Sequence, residues 1–361
     1  MKIGILYGGR SGEHEVSLQS AASIVRNLDK NHKITLIGIS KNGTWHLQPD
    51  NVRESCIDGS GPLELRNESP EVLAVPGGGL RAFGPKGSAD LPIDVVFPVL
   101  HGSFGEDGTV QGLLECVGLP YVGADVFGSA LCIDKEKAKI MWQAAGLETL
   151  PFIAVEKAGL DNPEELFAKS EQKFSWPMFV KPGRCGSSVG ASKAGNTIEL
   201  LAALKEAFKF DTKALIEPFI SAREIECSVL GNHDPVVFPP GELVPSREFY
   251  DYEAKYLDPM GARFIVPAVL DSEQTAMLMN TAIKAYKSAG IMGMARIDFF
   301  LDKSSGKIWL NEANTIPGFT SISMYPMMCE AGGLLYKELL DKLLALALEK
   351  HSEKSNLRFE R

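Results

Sequence analysis

The stretch Gly-Met-Ala-Arg-Ile-Asp-Phe-Phe-Leu-Asp-Lys-Ser-Ser-Gly-Lys-Ile-Trp-Leu-Asn-Glu-Ala-Asn-Thr-Ile-Pro-Gly, residues 293–318, sets the architecture. It reads as two strands, 294–301 and 307–314, joined over 302–306 as a hairpin. Strand residues two apart share a face. Arg296 and Asp298 therefore point one way, and Ala295, Ile297 and Phe299 the other; Glu312 and Asn314 likewise share a face. Closing the hairpin gathers two carboxylates, an amide oxygen and a guanidinium. Hard oxygen ligands suit magnesium, which keeps its other positions for water and phosphates, and a guanidinium suits developing negative charge. A solvated face with cross-strand ion pairs would use the same residue types. The strongly apolar character of both strands otherwise favours metal.

Two glycine-containing loops carry further polar chemistry. Residues 181–190, Lys-Pro-Gly-Arg-Cys-Gly-Ser-Ser-Val-Gly, follow a strand at 178–181. Glycines let backbone N–H groups approach phosphate oxygens, the serines add donors, and Lys181 adds a charge. The lysine comes first, so this is not the GxxxxGK[ST] loop, and a plain glycine-rich hairpin would look alike. Residues 315–323, Thr-Ile-Pro-Gly-Phe-Thr-Ser-Ile-Ser, follow the hairpin directly. A Pro-Gly turn can present N–H groups to an oxyanion or carboxylate, although taken alone it reads as an ordinary turn.

Outward from these, residues 2–7, 33–40 and 93–100 read as buried strands, with helical spacing at Leu18, Ala21, Ala22, Val25 and Leu28. Strands alternating with helices argue for a parallel sheet covered on both faces, with ligands beyond the carboxyl ends of its strands. A helix over 134–145 opens on Asp134 as N-cap and stops at Gly146. Strands at 151–155, 178–181, 214–220 and 225–230, and helices at 200–208, 272–289 and 334–350, complete the pattern. Residues 239–259, rich in proline, acid and tyrosine, read as a long loop, and 50–92 carry no legible pattern. The expected division is into three domains, 1–130, 131–221 and 222–361.

The chain has 361 residues, 37 Lys and Arg against 46 Asp and Glu, and a net charge of −9. That balance argues against a nucleic-acid binder. The six cysteines form no CxxC pair or zinc knuckle, which fits a reducing compartment. The first apolar run is too short for a signal peptide or membrane span, so a cytoplasmic, non-membrane protein is expected.

The motifs together carry a resemblance. GGRSGEHEVSLQSA at 8–21, HGSFGEDGTVQG at 101–112, FVKPGRCGSSVG at 179–190, REIECSVLG at 223–231, FYDYEAKY at 249–256, GMARIDFF at 293–300 and NEANTIPGFTSISMYP at 311–326 resemble, in order and nearly end to end, the D-alanine–D-alanine ligases of the ATP-grasp superfamily. The resemblance implies an α/β (α+β) chain: an ATP-grasp fold with an N-terminal doubly wound parallel-sheet domain, gripping ATP between the central and C-terminal sheets. It implies that Lys135 and Lys181 contact ATP phosphates and that the loop with Gly186 and Ser188 closes over them. Glu217 would accept from the adenine amino group beside Phe219 and Ile220, and Glu224 would hold the ribose. Asp298, Glu312 and Asn314 would hold two magnesium ions, with manganese able to substitute. Glu15 would bind the ammonium of the first D-alanine, with His101 lining the pocket; Ser323 and Lys255 would hold the carboxylate of the second. Arg296 and the Gly318 N–H would stabilise the tetrahedral intermediate, and Glu15, Ser187 and Tyr256 would form a network near the attacking amine. A cytoplasmic homodimer acting on D-alanine and ATP is implied.

Blander roles exist for several of these residues: Glu15 as a first-turn helix acid, His101 as a core histidine, Lys135 as a solvated lysine, Lys255 and Tyr256 as loop residues. Cys185, inside the phosphate loop, packs or faces solvent on this reading, and offers a thiol-sensitive spot. The nearest rivals share the fold: D-alanine–D-lactate and D-alanine–D-serine ligases, against which Tyr256 in its EAKY context points to the dipeptide enzyme. A nicotinamide oxidoreductase lacks its GxGxxG after the first strand. A non-catalytic binding protein would not need Arg296, Asp298, Glu312 and Asn314 together.

Overall fold

The computed structural model describes residues 1–85, 87–245, 262–320 and 322–358. Three sheets carry it. The first has seven strands, with Lys2–Gly8 paired in parallel to Lys33–Ile39 on one side and Val95–Val99 on the other. Ile3, Ile5, Leu6 and Tyr7 are buried on both faces of the central strand, as expected of a covered parallel core. The sheet continues antiparallel through Trp45–Leu47, Glu71–Val75, Gly79–Gly84 and Gly87–Asp90. Residues 50–92 thus hold a helix, Asp50–Asp58, and three strands. These strands sit at a sheet edge, half exposed, which leaves no continuous apolar run to read.

The central sheet is antiparallel, in the order Ser192–Ala194, Met178–Pro182, Lys213–Pro218, Ile153–Glu156. Helix Thr197–Ala207, capped by Asn196, buries Leu200, Ala203, Leu204 and Ala207 on it. The third sheet has six strands, among them Ala222–Leu230, Met294–Asp302 and Ile308–Asn314. Gly241–Pro245 is a strand of it, pairing with Ala222–Leu230. That corrects the expectation of a loop over 239–259 for its first part; residues 246–261 lie outside the described ones. The local proline content masked a strand that is buried along its first three residues and paired on both sides.

Packing crosses between the sheets. The helix Tyr336–Ser355 at the C-terminal end buries Leu339, Leu340, Leu343 and Leu344 with Ile3, Ile5 and Tyr7 of the first sheet. Its Lys350, wholly inside, donates to the Gly123 carbonyl at 2.6 Å. The helix Lys135–Ala144 opens on Asp134, whose carboxylate accepts from the Lys137 N–H at 3.1 Å and from Lys213 at 2.6 and 2.8 Å. Its inward stripe, Lys135, Ala138, Lys139 and Trp142, has helical spacing. Trp142 is fully buried among residues of the third sheet and of helix Ser272–Ser288, and its indole donates to the Ala285 carbonyl at 3.2 Å.

Trp142→Ala removes a fully enclosed side chain and one buried donor, so it lowers unfolding free energy by about 3–5 kcal/mol. Denaturant unfolding monitored by circular dichroism reads this as a lower midpoint; a midpoint unchanged from the parent shows that Trp142 does not carry this junction.

Candidate active site

The hairpin forms in the expected register, Arg296 opposite Asn314 and Asp298 opposite Glu312, with a bulge after Asp298. The strand on its other side sets Glu226 opposite Asp298 and Ser228 opposite Arg296. One cross-strand row is thus Glu226, Asp298, Glu312, and the next Ser228, Arg296, Asn314. Like charges directly opposite repel, and Arg296 answers this. It donates to both oxygens of Asp298 at 2.7 and 2.6 Å and lies 3.1 Å from Glu226. Burial opposes the guanidinium charge, but Asp298 and Glu226 outweigh it and raise its pKa. Asn314 Oδ1 is buried without a hydrogen-bond partner among the described residues. An orphaned amide oxygen beside two carboxylates is a donor set that fits magnesium.

Between the central and third sheets lies a cleft of about 600 Å³. The expected nucleotide residues Lys135, Lys181, Gly186, Ser188, Glu217, Phe219, Ile220 and Glu224 all line it, together with Ser187, Arg296, Asp298 and Glu312. Lys135 donates to the Cys185 carbonyl at 2.6 Å and lies 3.4 Å from Glu312, tying the glycine loop to the hairpin. Lys181 donates to Asn311 Oδ1 at 3.1 Å and pairs with Glu217 at 2.9 Å. The other Glu217 oxygen lies 2.9 Å from Lys139, an ionic contact off hydrogen-bond alignment. Burial would raise the Glu217 pKa; Lys139 and Lys181 together hold it below the usual carboxylate range. Glu217, expected at the adenine amino group, is therefore also the counter-ion of two lysines.

The loop between the strands Met178–Pro182 and Ser192–Ala194 is locally strained. Ser187 and Ser188 sit at φ of 51° and 57°, the left-handed region that costs non-glycine residues energy. Gly190, at φ 69°, is required: a Cβ there would meet the Phe210 ring at 2.6 Å. Arg184 clamps the loop base to Asp211 at 2.6 Å. Cys185 is half-buried, its thiol 3.6 Å from the Phe210 carbonyl, and burial pushes its pKa up. A scarcer thiolate makes it less reactive than its loop position suggested.

One expected residue is misplaced. Glu15 is exposed and pairs with Lys41 at 2.5 Å, away from the cleft. Ser187 donates its hydroxyl to Glu13 instead. Glu13 lies so near the turn after strand Val95–Val99 that a Cβ on Gly102 would fall 2.7 Å from its carboxylate. Glu13 is the N-cap position of helix His14–Asn27 and Glu15 is in its first turn. Two residues along a helix turn the side chain by about 200°, so only one of the two acids can face the cleft.

His101 and Glu106 bind the turn after Val95–Val99 to the loop after the hairpin. His101 Nδ1 lies 3.0 Å from the Ile316 carbonyl, so this nitrogen carries the proton; Nε2 lies 3.1 Å from the Ser20 hydroxyl. Ser20 in turn accepts from the Phe319 N–H at 3.3 Å. Burial lowers the His101 pKa, which keeps it neutral. Glu106 accepts from the Gly102 N–H at 2.7 Å and the Ile316 N–H at 3.3 Å, and burial with the nearby Glu13 charge raises its pKa. Gly318 faces Ser323, whose hydroxyl would lie 2.7 Å from a Cβ at Gly318 and accepts from the Thr320 N–H at 2.9 Å. Lys255 and Tyr256 lie outside the described residues. Among the charged residues at or behind the cleft that carry no sequence expectation are Glu226, Lys139 and Glu106. Glu226 sits two along from Glu224, Lys139 four along from Lys135, and Glu106 in the acidic turn after His101. The spacing signal was present for the first two.

The chain is similar to known proteins over most of its length. Residues 2–124 match the family described as D-ala D-ala ligase N-terminus, and 141–345 the D-ala D-ala ligase C-terminus. A D-alanine–D-alanine ligase of Treponema denticola is 51% identical over 355 residues, covering 97% of this chain and 96% of the relative. The solved D-alanine–D-alanine ligase of Coxiella burnetii superposes with a TM-score of 0.84 at 35% identity, covering 98% of this chain and 96% of its own. A D-Ala:D-Ser ligase of Enterococcus faecalis superposes at 0.83 with 36% identity, over 96% and 99%. With both halves matched and identity above half across nearly the full length, the chain belongs to the D-alanine–D-alanine ligase family, carboxylate–amine ligases of ATP-grasp fold.

Proposed function

We propose that this chain joins two D-alanine molecules into D-alanyl-D-alanine at the expense of ATP, supplying a precursor for peptidoglycan. The observation that carries this is the cleft in which the Arg296–Asp298–Glu312 face meets the strained Ser187 loop, with Glu13 reaching that loop from the start of helix His14–Asn27. A carboxylate is a poor acyl donor because its leaving group would be an oxide. The first D-alanine therefore takes the terminal phosphoryl group of ATP on its carboxylate, giving an acyl phosphate, and the second D-alanine amine displaces phosphate. Glu13, rather than Glu15, holds the ammonium of the first D-alanine. His101 and Glu106 hold the pocket walls together. Ser323 and Lys255 receive the carboxylate of the second D-alanine. Arg296 and the Gly318 N–H face the oxyanion of the tetrahedral intermediate, and Tyr256 with Ser187 orients the incoming amine. Lys135 and Lys181 meet the nucleotide phosphates. Glu217, Phe219 and Ile220 meet the adenine, and Glu224 the ribose. Asp298, Glu312 and Asn314 hold magnesium or manganese, which supplies charge neutralisation for phosphoryl transfer. The loop over 183–190 excludes water from the acyl phosphate.

The remaining parts of the reading are a homodimer, a cytoplasmic location, and the division at 130 and 221. Among the described residues no helix is long and apolar enough to cross a membrane. A D-alanine–D-serine activity is the second reading, favoured by the close superposition on the Enterococcus faecalis enzyme.

The test is phosphate release from ATP with D-alanine, L-alanine, D-serine or D-lactate as substrate, with product analysis. D-Alanine alone supports rapid release and yields the dipeptide; faster release with D-alanine plus D-serine, yielding the mixed dipeptide, establishes the second reading.

Glu13→Gln slows dipeptide synthesis by roughly a hundredfold, the scale of a lost hydrogen bond between two charged groups, about 1.5–3 kcal/mol. Glu15→Gln loses only an exposed ion pair and stays within about twofold of the parent in the same assay. The reverse ranking returns the role to Glu15.

Asp298→Asn lowers turnover at saturating ATP and magnesium by far more than tenfold, about 1.4 kcal/mol of barrier. Residual activity within tenfold at any magnesium concentration removes Asp298 from the metal set.

A further inference from the structure

Lys139 has no part in the reading above, does not line the cleft, and is the most deeply enclosed lysine near it, with no exposed side-chain surface. Burying an unpaired ammonium is costly. Lys139 is paired, and its partner is informative. Glu217, also buried, spans two lysines with its two oxygens, Lys139 at 2.9 Å behind and Lys181 at 2.9 Å in front. Lys181 reaches on to Asn311 at 3.1 Å, next to Glu312 of the hairpin. The result is a buried chain, Lys139–Glu217–Lys181–Asn311, running from helix Lys135–Ala144 through the central sheet to the third. Four residues before Lys139 on the same helix stripe, Lys135 grips the Cys185 carbonyl of the glycine loop. One helix thereby supports two of the lysines that line the cleft, Lys135 directly and Lys181 through Glu217.

We propose that Lys139 is a positioning residue for the nucleotide: it anchors Glu217 from behind the site, and through Glu217 it holds the Lys181 ammonium where a nucleotide phosphate meets it. The inference rests on the reading of this cleft as the ATP site. Without Lys139, Glu217 has one counter-ion, draws Lys181 closer and cancels its charge. With Lys139 protonated, the cluster of two ammoniums and one carboxylate presents one net positive charge to a polyanion. The groups facing Lys139 are Glu217 on strand Lys213–Pro218, Lys181 on Met178–Pro182 and, at longer range, Glu312 on Ile308–Asn314. Burial pulls the Lys139 pKa down to about 8, against the pull of Glu217. As pH rises through that value the cluster loses its net positive charge, so nucleotide affinity falls.

The experiment is calorimetric binding of the non-hydrolysable analogue adenylyl imidodiphosphate, with magnesium, to the full chain between pH 7 and 9. Wild type loses affinity as the pH rises through 8, approaching the roughly tenfold deficit of a site without the Lys139 charge. Lys139→Met binds about tenfold more weakly at pH 7 with a flattened profile, Lys139→Arg keeps at pH 9 the affinity that wild type has at pH 7, and the apparent KM for D-alanine is unchanged in both. A double-mutant cycle with Glu217→Gln keeps the inference testable should Lys139→Met fold poorly, because Lys139→Met/Glu217→Gln removes both buried charges. If Lys139 acts through Glu217, the double variant binds no more weakly than Glu217→Gln alone. Wild-type affinity in Lys139→Met, a pH profile identical to wild type, or additive losses in the cycle each overturn the proposal. Analogue binding by wild type without D-alanine-dependent phosphate release overturns the ligase reading instead, and leaves this inference standing.

Discussion

Three carboxylates side by side on adjacent strands are the constraint that the site is built around. Glu226, Asp298 and Glu312 form one cross-strand row, spaced as direct neighbours, and such a row repels itself unless a cation sits in it. Arg296 is that cation in the protein's own sequence, chelating Asp298 and approaching Glu226. The third sheet can therefore fold without a metal. The same arrangement keeps Asp298 and Glu312 directly opposite each other, where they can take one. A hairpin whose two strands are otherwise apolar locks the register, since a slip by one residue would turn Ile297, Phe299 and Leu310 outward. Packing thus fixes the positions of the charged groups, and the charged groups need no flexibility to meet their ligands.

The second device is the stitching of loops that are far apart in sequence. Ser20 follows the first strand, His101 and Glu106 follow the last parallel one, and residues 316–319 follow the hairpin. Four hydrogen bonds, from His101 to Ile316, Ser20 to His101, Phe319 to Ser20 and Ile316 to Glu106, join them into one wall. All of these groups are buried, so each bond also avoids the cost of an unsatisfied polar atom. The wall is preformed. Backbone strain falls on both sides, at Phe104 in the turn between His101 and Glu106 and at Ser187 and Ser188 in the loop that has to bear on substrate.

The hairpin, its register and the glycine loop were legible in the sequence because they obey short-range rules: period two for strands, glycine where backbone must turn. The Asp134 cap was legible for the same reason. Residues 50–92 were not, since edge strands with one open face carry little apolar pattern, and Gly241–Pro245 was hidden by the prolines around it. The choice between Glu13 and Glu15 depends on the phase of a helix start, which the motif alone does not specify. Glu226 and Lys139 were overlooked for a different reason. Each answers a charge brought in from another strand or helix, and that need exists only once the chain has folded.

Lys139 shows what such a need costs and why it is met. A buried ion cluster is a poor way to stabilise a fold: apolar residues of the same volume serve as well or better, because charges lose their hydration. Leucine or methionine at 139 and 217 would fill the space between helix Lys135–Ala144 and the central sheet. They would leave the ammonium of Lys181 attached only to Asn311, on a flexible four-carbon stem with several rotamers of similar energy. A phosphate arriving at such a lysine would have to order it, and ordering a long side chain takes about 1–2 kcal/mol. The Glu217 carboxylate, fixed by its own lysine behind it, does that ordering when the chain folds. The desolvation cost is borne once, in the folded protein, and the cleft is left with a charge already in place.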